Sequence, residues 1–240
     1  MSTALTVLAA VAAIAGFCLL VWRAQVGREL ALVIATRTST AREAAALPPG
    51  SVVVLMGQLS TEALLKGKFS GRDCIYFRAL IEREIERDDR DADGIGGTHR
   101  FFETVSSTEE HTPSRLSDGS GSVAVDFTGA KVEGVLSHQH YVAGAHEPDG
   151  SIKKSRGTVL GHRYTEWIIP PGSPVYILAT ARAGGVIGAS PTRSNPFFIS
   201  HKSEKERIWS LEATLLWLRV AAVSSFLLAI ALLIWAGVSA

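Results

Sequence analysis

Asp89-x-Asp91-x-Asp93-Gly94 has the spacing that opens a calcium loop. Alternate carboxylates can converge on a hard cation there, and glycine permits the sharp turn. Such a loop also needs a bidentate acid at its twelfth position, which here is Arg100. Its flanks read as strands rather than the helices of an EF-hand, so a solvated hairpin tip accounts for the acids more simply. His138, His140 and His146 are a second candidate metal set. Imidazoles two apart on a strand share a face and suit zinc or nickel. No thiol or carboxylate within that loop completes the site, although Glu147 and Asp149 follow closely, and exposed loop histidines are the expected reading. Cys74 is the one thiol outside the apolar ends and is expected to be a small buried hydrophobe. No Gly-x-Ser-x-Gly elbow is present, and Gly67-Lys68-Phe69 lacks both the hydroxyl residue and the upstream glycine of a phosphate loop. We therefore expect no catalytic residue, no bound cofactor and no enzyme.

The elements around these residues are dominated by the two ends of the chain. Residues 4–22 and 220–240 carry no charge, and each is about as long as the ~20-residue helix that crosses a hydrocarbon core. A cleaved secretory signal would have a basic start and a small-residue site after its apolar run. Here the start is Met-Ser-Thr, and Ala9, Ala10, Ala12 and Ala13 lie inside the run. We expect retained transmembrane helices over 4–22 and 216–237, with Trp217 and Trp235 near the edges of the second. Arg23, Arg28, Arg37 and Arg42 follow the first, and Lys202, Lys205, Arg207 and Arg219 precede the second. The positive-inside rule then puts the central domain in the cytoplasm and both termini outside. Ala9/Ala13 and Ala12/Gly16 have the spacing that lets membrane helices approach closely, a spacing also expected by chance in an alanine-rich run.

Between the anchors the patterning is mostly that of strands. Pro48-Pro49-Gly50 stops any helix continuing through 28–46. Residues 51–59, 74–86, 99–105, 122–127, 164–169 and 175–181 are short, β-branched or alternating segments bounded by turn residues, which predicts strands. Residues 106–117 read as a polar loop and 130–160 as a loop or hairpin. Short strands with turn signals between them suggest a small barrel or sandwich with short helices, and the Gly-Ser-Gly turn before a strand resembles OB-like barrels. A net charge of +1 offers no basic field for nucleic acid. Cys18 and Cys74 cannot build a disulfide framework, a paired-cysteine zinc site or an iron–sulfur cluster.

Three blocks taken in order resemble a known family. Residues 70–78 (SGRDCIYFR), with Gly71, Arg72, Cys74 and Tyr76, are similar to one block of the GIDE domain, also called the beside-a-membrane (BAM) domain. Residues 117–126 (SDGSGSVAVD), with Asp118, Gly119 and Gly121, are similar to a second. Tyr164-Thr165-Glu166-Trp167, with Gly172 and 175–178, is similar to a third. The resemblance covers roughly 30–205; it departs at Asp73, where the family usually has proline, and over 130–160. Eukaryotic relatives are organelle-membrane ubiquitin or SUMO ligases whose activity belongs to a RING placed after the second helix, and their domain is thought to bind partners. This sequence has no cysteine after its second apolar segment, so the resemblance implies a RING-less, prokaryotic-type member. The expected function is a membrane-anchored binding or scaffolding module, touching the lipid bilayer and a protein or lipid-headgroup partner. A membrane-tethered enzyme or ligase, or a non-catalytic subunit of a larger membrane complex, is the competing expectation.

Overall fold

The computed structural model describes residues 2–88, 97–144, 157–191, 195–202 and 204–238. The candidate calcium residues Asp89, Asp91 and Asp93, and His146 of the histidine set, lie outside them. In chain order the elements are α1 (Ser2–Ala35), β1 (Thr38–Ser39), α2 (Ala41–Ala46), β2 (Val52–Ser60), β3 (Leu65–Lys66), β4 (Asp73–Cys74), β5 (Tyr76–Asp88) and β6 (Thr98–His111). They continue with β7 (Ser114–Ser117), β8 (Ser122–Val125), β9 (Lys131–Glu133), β10 (Val135–Ala143), β11 (Thr158–Ile169), β12 (Pro174–Arg182), β13 (Val186–Gly188), β14 (Phe198–Ser200) and α3 (Glu204–Val238). These fall into two compact units: 1–38 with 202–240, and 39–201.

The first unit is a pair of helices, each long and apolar enough to cross a membrane. The Ser225–Ala12 contact sets the register, and in a parallel pair that register would leave Val33 of α1 and Leu211 of α3 beyond the end of the other helix, so their burial requires antiparallel packing. The α3 seam is read off as Leu211, Leu218, Ala222, Ala229 and Ala236, all buried at heptad-type spacing. Small residues do the close packing that lipid-embedded helices need, because lipid provides no hydrophobic drive to hold them together. A Cβ at Gly16 would stand 3.1 Å from the Phe226 ring, and the Ser225 hydroxyl donates to the Ala12 carbonyl at 2.6 Å. Ala12/Gly16 thus serves the contact between the chain's own two helices. That pairing brings Trp22 and Arg23 roughly level with Trp217 and Arg219, so the apolar zones of both helices end at one height.

In the second unit β2, β7, β8, β13 and β12 close on themselves. β2 pairs antiparallel with both β12 and β7, β7 with β8, β8 in parallel with β13, and β13 antiparallel with β12. Numbered within the barrel, the order is 1-2-3-5-4-1 with strands 3 and 5 parallel, the connectivity of an OB-type barrel. Its interior is filled by Val53, Leu55, Leu116, Val125, Ile177 and Ile187, none more than 3% exposed. These alternate along their strands with outward residues, as period-2 patterning demands. β14 and β9 extend the wall beyond β12.

Two insertions leave the barrel and pair with each other. β5 and β6 arise between barrel strands 1 and 2, β10 and β11 between strands 3 and 4, and together they form a second sheet in the order β10-β11-β5-β6. One expectation changes here and another is narrowed. The polar loop expected at 106–117 is the second half of β6 followed by β7, interrupted only at Thr112-Pro113. Its serines, threonines and glutamates hide the strand because β6 is an outer strand with little to bury, so no apolar alternation marks it. Residues 135–143, within the expected loop or hairpin at 130–160, are a strand of a β10–β11 hairpin with an irregularity at Leu136/His138, the hairpin being the one of the two readings that holds there.

Candidate functional site

Glu166 on β11 is fully buried. It lies across from Ala79 on β5 and His138 on β10, and its carboxylate accepts from Phe69 N–H at 2.7 Å and from the Ser70 hydroxyl. The donors sit in the loop between β3 and β4, closed by Gly67 N–H to Arg72 O (2.8 Å) and Gly71 N–H to Gly67 O (2.9 Å). Gly71 turns there with φ +65°. A Cβ at Gly67 would stand 2.7 Å from Glu166 Oε1, so the loop can lie this close only with glycine at that position. Phe69 packs edge-on against Tyr164 (5.5 Å) and near His138 (6.0 Å), and Arg78 lies over Trp167 at 6.0 Å. The first and third family blocks thus meet in one structural clamp.

Cys74 lies beneath that loop with Sγ 3.7 Å from Leu65 O. Burial, then the charges of Glu166 and Asp73, push its thiol up to about 11, the reverse of what an activated nucleophile needs. His138 and His140 share a face of β10 with ring centroids 6.3 Å apart. Among the described residues no group of three or more His, Cys, Asp or Glu is placed to hold a metal.

The second block does a different task. Asp118 accepts from Ala41 N–H (2.7 Å) at the start of α2 and from Ser120 N–H (2.9 Å) and its hydroxyl (2.6 Å). Thr40 and Glu43 add a capping box, so α2 docks on the β7–β8 turn, in which Gly119 takes φ +87°. The Ser120 hydroxyl and the Ala41 N–H hold the Asp118 carboxyl below its ordinary value. Asp118→Asn leaves one oxygen where two now accept from Ala41 and Ser120, and is expected to lower stability by about 1 kcal/mol at neutral pH, the net size of one lost hydrogen bond. A carboxyl with a depressed folded value stabilises above its unfolded value of about 3.9 and loses that contribution as pH falls through the folded one. The gap between wild type and variant should therefore close below about pH 4 in denaturant melts, and a constant gap would contradict it. Gly172 completes the motif set at φ +72°, its N–H donating to Leu59 O at 2.9 Å in the turn before β12.

An open groove lies elsewhere on the barrel. One part of it, about 350 Å³, is lined by His111–Ser114, Ala124–Phe127 and Val186. It shares Pro113, Ser114 and Ala124 with a recess of about 540 Å³ bounded by Ser60–Ala63 and Arg115. The floor is small and apolar. Phe127 stacks against Tyr76 (6.0 Å) and His111 (5.6 Å), cross-strand partners on β5 and β6, and burial followed by Glu109 raises the Tyr76 hydroxyl above its ordinary value. Arg115 is held by Ser122 Oγ at 2.9 Å and Asp126 by Arg182 at 2.7 Å, which fixes both polar rims. This is the face of barrel strands 2 and 3 beside the strand 1–2 connection, where OB barrels take their ligands. No sequence signal singled it out, because its walls come from four separated segments; Pro113, breaking the ladder between β6 and β7, is the one local cue.

A family model described as GIDE, E3 ubiquitin ligase, matches residues 82–234, more than half of the chain. The chain belongs to the GIDE family. No curated protein and no solved structure matches it. The GIDE match takes in the Asp118 turn, the Glu166 strand and most of α3, and begins after the 70–78 block that the Glu166 clamp holds.

Proposed function

We propose that this GIDE protein is a non-catalytic binding and scaffolding module beside a bilayer, taking a polypeptide partner in the groove over β7 and β8. The observation that carries the reading is that groove: an open, apolar-floored channel with fixed polar rims on the ligand face of an OB-type barrel. Two apolar helices whose polar boundaries coincide support the anchoring, and the arginines and lysines at the domain-side boundary favour a cytoplasmic domain. A RING needs clustered cysteine and histidine zinc ligands, whereas these 240 residues hold Cys18 in α1 and Cys74 under a loop. Within these residues that favours the binding role of a BAM domain over ubiquitin transfer, and the raised Cys74 thiol disfavours a cysteine enzyme.

A photo-cross-linking amino acid at Ala124 of the full chain in native membranes should capture a polypeptide partner. Ala124→Arg should abolish its non-covalent recovery, while Thr104→Arg on β6 leaves it intact. Recovery unchanged by the blocked groove, or ubiquitin transfer by the purified chain, would refute the reading. The chain should also stay in the pellet after alkaline carbonate washing; release would remove the bilayer from the account.

A further inference from the structure

The two outer strands of the second sheet are built differently. β6 carries Arg100, Glu103, Glu109 and Glu110, and its pairing with β5 is broken by a bulge at Ile81/Glu82. Charges and bulges are how proteins keep an outer strand from recruiting another chain. β10 (VLSHQHYVA) has no Asp, Glu, Lys or Arg. Val135, Leu136, Tyr141 and Val142 on it are 40–50% exposed. After an irregularity at Leu136/His138, six consecutive residues, His138–Ala143, pair regularly with β11.

That stretch is also held in shape. The Tyr141 hydroxyl donates to Glu84 Oε2 on β5 at 2.6 Å, reaching across β11 at Gly161, where a Cβ would stand 2.5 Å from the Tyr141 oxygen. Arg163 on the same face reaches Glu82 at 2.9 Å and covers the Phe102 ring at 3.9 Å. A strand fixed by such cross-strand ties has already lost the conformational freedom that pairing would otherwise cost.

We propose that β10 is a self-pairing edge, through which two copies of this chain join their β10 strands antiparallel across a two-fold axis. A row of outward backbone N–H and C=O groups selects an extended strand as occupant. Absence of charge selects a second β10. With the axis beside His140, Gln139 meets Tyr141 and His138 meets Val142 of the other copy, with no like charges opposed. Strands as charged as β6 would place ionised side chains against this neutral, partly apolar row. Pairing over six residues makes a small interface, so the dimer depends on the density of chains on one surface.

The test uses the full chain in phosphatidylcholine/phosphatidylglycerol vesicles, read by energy transfer between labelled copies. Transfer should rise with surface density and fall to baseline for His140→Lys, which sets two lysines opposite each other at the axis. It should return when that variant is mixed with His140→Glu, a restoration that misfolded variants could not give. In a Cys18→Ser background, His140→Cys should oxidise to a linked dimer and Thr104→Cys should not. Baseline transfer for wild type, a dimer indifferent to His140→Lys, or His140→Cys linking only to a different polypeptide would each overturn the proposal.

Discussion

Glu166→Ala is expected to destabilise the β domain by about 3–5 kcal/mol, because the variant removes two hydrogen bonds to a charged acceptor worth roughly 1.5–3 kcal/mol each and leaves their half-buried donors without an acceptor. The carboxylate is fully buried and receives the Phe69 N–H and the Ser70 hydroxyl, and the Gly67 backbone is packed tightly against it. An alanine there leaves the Phe69 N–H without its acceptor. Glu166→Gln keeps the volume but presents an amide nitrogen to one of the two donors, so it should cost about half as much. Unfolding of the full chain in micelles, with hydrogen exchange at Phe69, checks both effects. Unchanged melting together with a still-protected Phe69 amide would show that the clamp contributes nothing.

Gly57→Ala should cost about 3 kcal/mol, at the upper end of what overpacking usually does. A Cβ there would stand 2.5 Å from Ser117 O and 3.0 Å from Leu116 Cδ2. The obstacle is backbone, and it cannot easily move. At Gln58, the next residue, β2 pairs with β12 on one side and β7 on the other, so displacing β2 disturbs two seams of the closed barrel. Gly121→Ala is the matched control: its nearest neighbour would be Arg42 Cβ at 3.7 Å, an ordinary contact, and its effect should stay within about 0.5 kcal/mol. Equal denaturation midpoints for the two variants would show that the β2–β7 seam yields freely.

Several elements were legible before any coordinates because their signals are local. Val52–Ser60 and Ser122–Val125 are β-branched runs between turn residues, and both are barrel strands. The family blocks were visible as words, and their separate tasks were not. Nothing in the spacing of Ser70 and Glu166 states that a loop 96 residues earlier will donate to that carboxylate. Nor does the Asp118 turn announce that it caps a helix 77 residues upstream. β6 was half missed because an outer strand needs no apolar alternation to exist; it is held by the ladder that β5 offers.

What the amino-acid order determined unaided is therefore whatever depends on runs and periods: two helices, each with an uncharged stretch of membrane-crossing length, and a strand-rich middle between them. Closure of five strands into a barrel, pairing of its two insertions into a second sheet, and the groove over β7 and β8 were decided only by tertiary structure. Those features arise from contacts between residues tens of positions apart. Their energies depend on which surfaces meet, and no single stretch of chain encodes that meeting.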